Sequence, residues 1–251
     1  MSTQITYIGH ATVEIASGGK TLITDPVFSQ RIFWIKRRSP LPMDPGTIQQ
    51  PAAILISHAH FDHLDLPSLK YFKLDVPIIL PQGLGRLVSK FVKNPIIEIP
   101  HGESHQLTPE IRITAFPVTH FGFRFCPLRY NSCNGYIIEM NGTQIFFPGD
   151  TAYRDDFKNR IPAPGIDIAL LPISCYQPEW LMKGRHIGPD QALKIFTDIG
   201  AKHFIPIHWG TFKLSTEPFH EPIEWLQRLA TEQGLTDRVH ILQPGEKFQL
   251  G

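Results

Sequence analysis

Residues 52–65 read AAILISHAHFDHLD. A short apolar run ends abruptly in a segment holding three histidines and two aspartates. The run predicts a buried strand, and the polar segment predicts a loop at its carboxyl end. The spacing His58-x-His60-x-Asp62-His63 presents imidazole and carboxylate groups, the donors that borderline divalent cations accept. His58 and His60, two apart in extended chain, can face one point, while Asp62 and His63, past a turn, can face a second. One segment can thus feed two metal ions. It supplies only four ligands, however, and two sites of four or five ligands each need more.

The rest of the chain offers the missing groups at matching places. His120 closes ITAFPVTH, Asp150 closes TQIFFPGD and His208 closes HFIPIH, each at the end of an apolar, strand-like run. In α/β sheets the carboxyl ends of strands collect ligands along one edge. Singly, each has a plainer reading: a strand-end histidine as a satisfied polar residue, an aspartate after glycine as a turn residue. Together with the histidine-rich segment they form a set that chance rarely supplies.

The elements around them alternate in a recognisable order. ITYIGHATVEIA and TLITDPVF flank SGGK, a hairpin signal, and EMNGTQ places Asn-Gly between two further strands. LPSLKYF and GLGRLVSKFV are expected to be helical, as are GPDQALKIFTDIG and EPIEWLQRLATEQG. Pro189 falls in the first turn of the third of these and Gly200 just past its end. VPIIL, IIEI, IDIALLPIS, RVHIL and KFQL are expected as strands. Each half runs hairpins first and β/α alternation second. The pattern predicts a two-layered β core with helices outside, in a single domain over residues 1–251.

Composition narrows the function classes. The 251 residues suit one large domain, and 42% apolar with 19% charged residues exclude a disordered chain. A formal net charge of +1 gives no global attraction to nucleic acid, which is not an expected partner. No apolar run approaches the ~20 residues that span a bilayer. The opening MSTQITYIGHATVEI lacks the charged start and apolar core of an export signal. Cys126, Cys133 and Cys175 are odd in number and form no CxxC, so no disulfide framework is expected and a cytoplasmic location is.

With HAHFDH, His120, Asp150 and His208 in view, the chain resembles the metallo-β-lactamase-fold hydrolases. YIGHATVEI, TDPVFSQR, KRRSP, PGDTAY, YQPEWLMKGRHIGPDQA and IPIHWGTFKLSTEPFHEP narrow the resemblance. They point to the branch holding N-acylphosphatidylethanolamine-hydrolysing phospholipase D, to which the ascorbate-6-phosphate lactonases are related. The resemblance implies an αβ/βα four-layer sandwich. It also implies a dinuclear site of two divalent ions, usually Zn2+, with Mn2+ or Fe2+ as alternatives. One ion would take His58, His60 and His120, the other Asp62, His63 and His208, with Asp150 bridging. None of the three cysteines stands at these positions, which argues against lactam hydrolysis. His60 in place of a glutamate argues against the diiron relatives.

Two cations roughly 3.5–4 Å apart hold a water between them and lower its pKa toward neutrality. That suits a hydrolase, and the resemblance implies a phospholipase D-type phosphodiesterase first, with a lactonase or other ester hydrolase as the rival. A nuclease of the same fold ranks third, and a non-catalytic metal-binding scaffold is the alternative of a different class. Asp62 is expected both to ligate and to orient the nucleophile or relay its proton. His186, just before a helix N-terminus, is expected to hold a phosphate oxygen or protonate the leaving group. Arg185 and Tyr153 are candidates for substrate contact, and His10 and Asp25 for partners of the ligands' outer nitrogens. RIFWIKRRSP (31–40) mixes cations with Phe33 and Trp34 and could meet a phosphate-rich surface, or be a solvated loop. THFGFRFCPLRY (119–130) could wall an acyl pocket. The substrate is expected to be a lipid or small-molecule phosphodiester, with peripheral membrane contact and a homodimer as further expectations.

Overall fold

Period-two alternation builds the first half of the protein. The computed structural model describes residues 2–122, 124, 132–161 and 165–251. Strands β1 (Thr3–Gly9), β2 (Thr12–Ser17) and β3 (Lys20–Thr24) form an antiparallel meander. Gly18 and Gly19, at φ 57° and 75°, close the β2–β3 turn as the SGGK signal requires. A two-stranded hairpin follows, β4 (Arg31–Ile32) and β5 (Ile35–Lys36). The main sheet resumes with β6 (Ala53–Leu55), β7 (Ile78–Pro81) and β8 (Ile96–Ile99), all parallel to β3.

The second half repeats the plan. β9 (Ser104–Thr108), β10 (Ile111–Pro117), β11 (Asn134–Met140) and β12 (Thr143–Phe147) are antiparallel, then β13 (Ile168–Pro172) and β14 (His203–Ile207) add in parallel. The final strand, β15 (Lys247–Leu250), crosses back to pair with β1. The sheets therefore read β15-β1-β2-β3-β6-β7-β8 and β14-β13-β12-β11-β10-β9.

Leu22, Leu55 and Ile79 point into the core between the sheets, and their neighbours Ile23, Ile54 and Ile78 point to the outer face of the first sheet. The inter-sheet core is completed by Ile113, Tyr136, Ile138, Ile145 and Phe147 from the second sheet. Helices α4 (Pro189–Asp198) and α5 (Glu221–Glu232) join the same cluster through Leu193, Phe196 and Leu226. The molecule is two mixed sheets with flanking helices, the architecture that the resemblance implies.

Two expected helices are much shorter than their sequences suggest. GLGRLVSKFV yields a single turn, α1 (Gly85–Val88), and LPSLKYF only a 3-10 turn at Ser68–Tyr71. Ser68 Oγ donates to Asp65 and its backbone N–H to the Asp65 carbonyl, a local capping pattern that competes with helix propagation. RVHIL makes only a bridge between Val239 and Phe204 before Gly245, at φ 93°, turns the chain toward β1. Remaining one-turn helices are α2 (Phe157–Arg160) and α3 (Glu179–Met182). Cys126 and most of the proposed acyl-pocket segment lie outside the described residues.

Candidate metal centre

His58 lies three residues past β6, His120 three past β10, Asp150 three past β12 and His208 one past β14. Each sits in the loop beyond its strand rather than in the strand itself, and the four ends converge between the sheets. Tyr136 Oη donates to the Ile56 carbonyl at 2.8 Å, and Asn134 N–H donates to the Ser57 carbonyl at 2.8 Å. These bonds fasten the second sheet to the start of the histidine-rich loop. On the far side His208 N–H donates to the His10 carbonyl at 2.7 Å.

Two groups of donors form. His58, His60, His120 and Asp150 make one, and His10, Asp62, His63 and His208 the other, all ligand atoms within 4.8 Å of one another in each group. Asp150 faces both: Oδ2 is 3.2 Å from His63 Nε2, 3.8 Å from His120 Nε2 and 3.9 Å from His58 Nε2, while Oδ1 is 3.4 Å from His208 Nε2.

The outer nitrogens of the imidazoles fix which atoms face inward. Ser57 Oγ–H donates to Asp25 Oδ2, so it accepts from His58 Nδ1–H at 2.9 Å. His63 Nδ1–H donates to the same Asp25 oxygen at 2.7 Å. His120 Nδ1–H donates to the Arg185 carbonyl at 2.9 Å. Ser174 Oγ–H donates to the His208 carbonyl and accepts from His208 Nδ1–H at 3.2 Å. Four Nε2 atoms are thereby turned into the site. His60 presents Nδ1, 3.0 Å from His58 Nε2 and 3.2 Å from His120 Nε2. Donors on a tetrahedron around a cation at about 2.0–2.1 Å stand roughly 3.3 Å apart, so this spacing suits shared coordination. His63 Nε2, His208 Nε2 and Asp150 Oδ1 are buried without a hydrogen bond. Buried polar atoms are rarely left so, and a pair of divalent cations fits the donor set.

The electrostatics agree. Burial opposes charge on His63, but Asp150, Asp62 and Asp25 outweigh it and push the imidazole up to about 10. His208 is likewise raised despite burial, chiefly by Asp150. Burial opposes charge on the two carboxylates as well, yet the imidazoles hold Asp62 and Asp150 well below the usual carboxylate range. Burial drives His60 down to about 4, and His10 and His186 to about 3. The carboxylates draw positive charge inward, while these three imidazoles remain neutral.

Several segments are bent hard to make this arrangement. Six described non-glycine residues have positive φ: His10, Asp25, Phe33, Asn141, Cys175 and His208. Four of the six touch or adjoin the centre, and such conformations persist only where surrounding contacts over-determine them. Gly149, at φ 61°, is needed on two counts, because a Cβ there would lie 2.5 Å from Ser57 Cβ. A Cβ on Gly122 would lie 2.5 Å from both His58 Cβ and Cys133 Sγ.

The other expected residues fall as follows. His10 Nε2–H donates to Asp62 Oδ2 at 3.0 Å, and its ring lies 4.0 Å from that of His208. Asp25 touches His63 directly and His58 through Ser57. His186 Nδ1 is 3.7 Å from Asp150 Oδ2. Arg185 meets the centre through its carbonyl, while its guanidinium lies 5.6 Å over Phe121. Tyr153 lines a cavity of about 500 Å3 beside His186, together with Tyr176, Met182 and Trp225. Its hydroxyl is engaged by Asp198 at 2.8 Å, leaving the ring as its contribution. Sequence reasoning missed Ser57 and Ser174. Asking what receives each ligand's Nδ1 proton would have flagged Ser57, directly before His58, but not Ser174, which is remote from His208 in the chain.

Comparison with known proteins bears on the same region. The family described as "Beta-lactamase superfamily domain" matches residues 20–209. "N-acyl-phosphatidylethanolamine-hydrolyzing phospholipase D, mitochondrial" of Saccharomyces cerevisiae is 34% identical over 255 residues, covering 96% of this chain and 54% of its own length. The chain thus spans about half of that relative. "N-acyl-phosphatidylethanolamine-hydrolyzing phospholipase D 1" of Caenorhabditis elegans is 32% identical, covering 89% of this chain and 68% of its own. Among solved structures, the metallo-β-lactamase fold protein YhfI from Bacillus subtilis superposes with a TM-score of 0.69 at 16% identity, over 99% of each chain.

Proposed function

The chain belongs to the β-lactamase superfamily, and from that premise we propose that it cleaves phosphodiesters in the manner of a phospholipase D, with a phospholipid as substrate. The coarser description, a metal-dependent hydrolase with two His/Asp clusters consistent with a dinuclear centre, is the ground on which this stands. The two N-acylphosphatidylethanolamine phospholipases, similar over nearly the whole chain, carry the step to phosphodiesters. We assign His58, His60 and His120 to one ion, Asp62, His63 and His208 to the other, and Asp150 to both. Zinc is the proposed metal.

When bound, the ions would supply Lewis acidity toward the phosphoryl oxygens and lower the pKa of a water held between them. The chain's own residues do the rest. Asp62 and His186 each keep 14% of their side chain exposed, whereas His10, His58, His63, His120, Asp150 and His208 keep 1% or less. The two proposed catalytic groups, like the ligand His60, are therefore not fully buried. Asp62, oriented by the His10 N–H, accepts the proton of the attacking water. His186, neutral where it is buried, offers an N–H to a phosphoryl or leaving-group oxygen. Water adds to phosphorus, the bond to the leaving alkoxy oxygen breaks, and the proton ends on the alcohol.

The test is turnover of metal-loaded protein on N-acylphosphatidylethanolamine in mixed micelles, in 18O-water, with products read by mass spectrometry. The reading expects 18O in the phosphatidic acid. Turnover of a lactone without the phosphodiester would replace it with the lactonase reading. Fewer than two metal ions per chain and no hydrolysis of either would leave a non-catalytic scaffold. Asp150→Ala is expected to lose both metal and activity.

A further inference from the structure

The β4–β5 hairpin breaks the rules for its own turn. A two-residue hairpin loop favours Asn-Gly or similar pairs, because the backbone must take positive φ. Here the two residues are Phe33 and Trp34, with Phe33 at φ 52°. They are also among the most exposed apolar side chains of the protein, at 60% and 82%. Below the tip, Arg31 stands directly opposite Lys36, a like-charged cross-strand pair that weakens a hairpin. Neither joins an ion pair among the described residues, and residues 26–43 hold four cations and no Asp or Glu. Local choices that oppose the local fold in this way mark a functional segment.

The hairpin stands beside the metal centre. The Phe33 ring lies 4.1 Å from that of Phe61, which separates His60 from Asp62. Another exposed ring adjoins the centre: Phe121, 51% exposed, directly follows His120; Trp180, 83% exposed, lies in α3, the helix whose Met182 shares the cavity with His186. Exposed tryptophan and phenylalanine over a cationic base suit a boundary that is apolar within and anionic at its surface.

We propose that the hairpin 31–36 is a docking element that inserts Phe33 and Trp34 into an anionic phospholipid bilayer and presents the metal centre to lipid headgroups. This deepens the phospholipid reading of the same site and rests on it for the identity of the substrate, but not for the binding itself.

The experiment is co-sedimentation of the full chain with vesicles of phosphatidylcholine alone and of phosphatidylcholine with 30% phosphatidylglycerol. The expected result is binding to the anionic vesicles that weakens with salt. Phe33→Asn with Trp34→Gly installs the favoured turn, so it keeps the hairpin folded while removing both rings, and should cut the binding at least tenfold. Arg31→Gln and Lys36→Gln should each cut it roughly fivefold at low salt. Circular dichroism and metal content serve as controls for folding. Undiminished binding by the double turn variant, no vesicle binding by the native chain, or tighter binding to single-stranded RNA at equal ionic strength overturns the proposal. If vesicles bind but no phosphodiester is cleaved, the docking element stands and the proposed reaction falls. If a soluble phosphodiester is cleaved but vesicles are ignored, the reverse holds.

Discussion

Asp25→Asn is the substitution that most directly examines how the centre is held. Asp25 is fully buried and receives three donors on two oxygens: Ser57 N–H on Oδ1 at 2.7 Å, and Ser57 Oγ–H and His63 Nδ1–H on Oδ2. Asparagine keeps the volume and tolerates the φ of 33°, so backbone strain is not added. It has one acceptor and one NH2, however. If the NH2 takes the place of Oδ1, it faces the Ser57 backbone N–H, which cannot turn away. If it takes the place of Oδ2, it faces His63 Nδ1–H and Ser57 Oγ–H. His63 must then move its proton to Nε2, pointing into the site. The Ser57 hydroxyl must rotate toward His58 Nδ1 and drive the same tautomer change there.

Either outcome disturbs donors of both ions through one carboxylate. Losing a charge-assisted hydrogen bond inside the protein costs about 1.5–3 kcal/mol. Loss of such an outer partner weakens metal affinity by about 10–100-fold, which is about 1.4–2.8 kcal/mol, so the two routes agree. The assay is zinc titration of metal-stripped protein against a chromophoric chelator, with stoichiometry by mass spectrometry. Asp25→Asn should weaken both sites, and Ser57→Ala, which leaves Asp25 on His63, chiefly the site of His58. An Asp25→Asn protein that binds two equivalents with native affinity would refute the reasoning.

Four further outcomes are expected. His186→Ala should lower kcat by about 10²–10⁴ while metal content stays at two, measured by steady-state kinetics and elemental analysis. Zinc loading should weaken as pH falls from 8 to 5, because protons compete with the metal for imidazole and carboxylate ligands; equilibrium dialysis across that range reads it. Gly149→Ala should displace Asp150 or Ser57, since the new methyl meets Ser57 Cβ at 2.5 Å, and should reduce metal content as well as stability. Ile138→Ala, fully buried between the sheets, should cost about 3 kcal/mol and lower Tm by about 6–12 °C in calorimetry, with residual activity per folded molecule retained.

The parts of this fold that announce themselves in the sequence are those where one residue's chemistry suffices. Asn141-Gly142 and Gly18-Gly19 turn the chain because few other residues accept their φ, and Pro189 with Gly200 bounds α4 for the same kind of reason. His58, His120, Asp150 and His208 were legible because a polar group at the end of an apolar strand has few other uses. The outer layer of the first sheet was not. Leu69, Phe72, Leu84 and Leu87 have helical spacing, but they cover that sheet from short turns, one opening after Pro67 and ending at Phe72, the other opening at Gly85 and ending at Ser89. Propensity predicted helices there, and the backbone makes only single turns.

The backbone conformations of His10, Asp25 and His208 show what stayed hidden and why. Each takes a left-handed conformation that nothing in its residue type favours strongly, and each is held there by groups distant in sequence. His10 N–H is received by Thr211 Oγ at 2.8 Å, and its carbonyl takes the N–H of His208. Asp25 N–H donates to the Leu55 carbonyl and its carboxylate is filled by Ser57. Such bonds exist only once β1, β3, β6 and β14 are assembled, so no local pattern can encode them. They also place the two sheets under a common constraint, with His10 beside β1 and His208 after β14 bonded backbone to backbone, their rings tilted against each other at 4.0 Å. A pair of ions bound between donors of both sheets would reinforce that seam. The position of the site at the junction of the halves thus follows from the same contacts that join them.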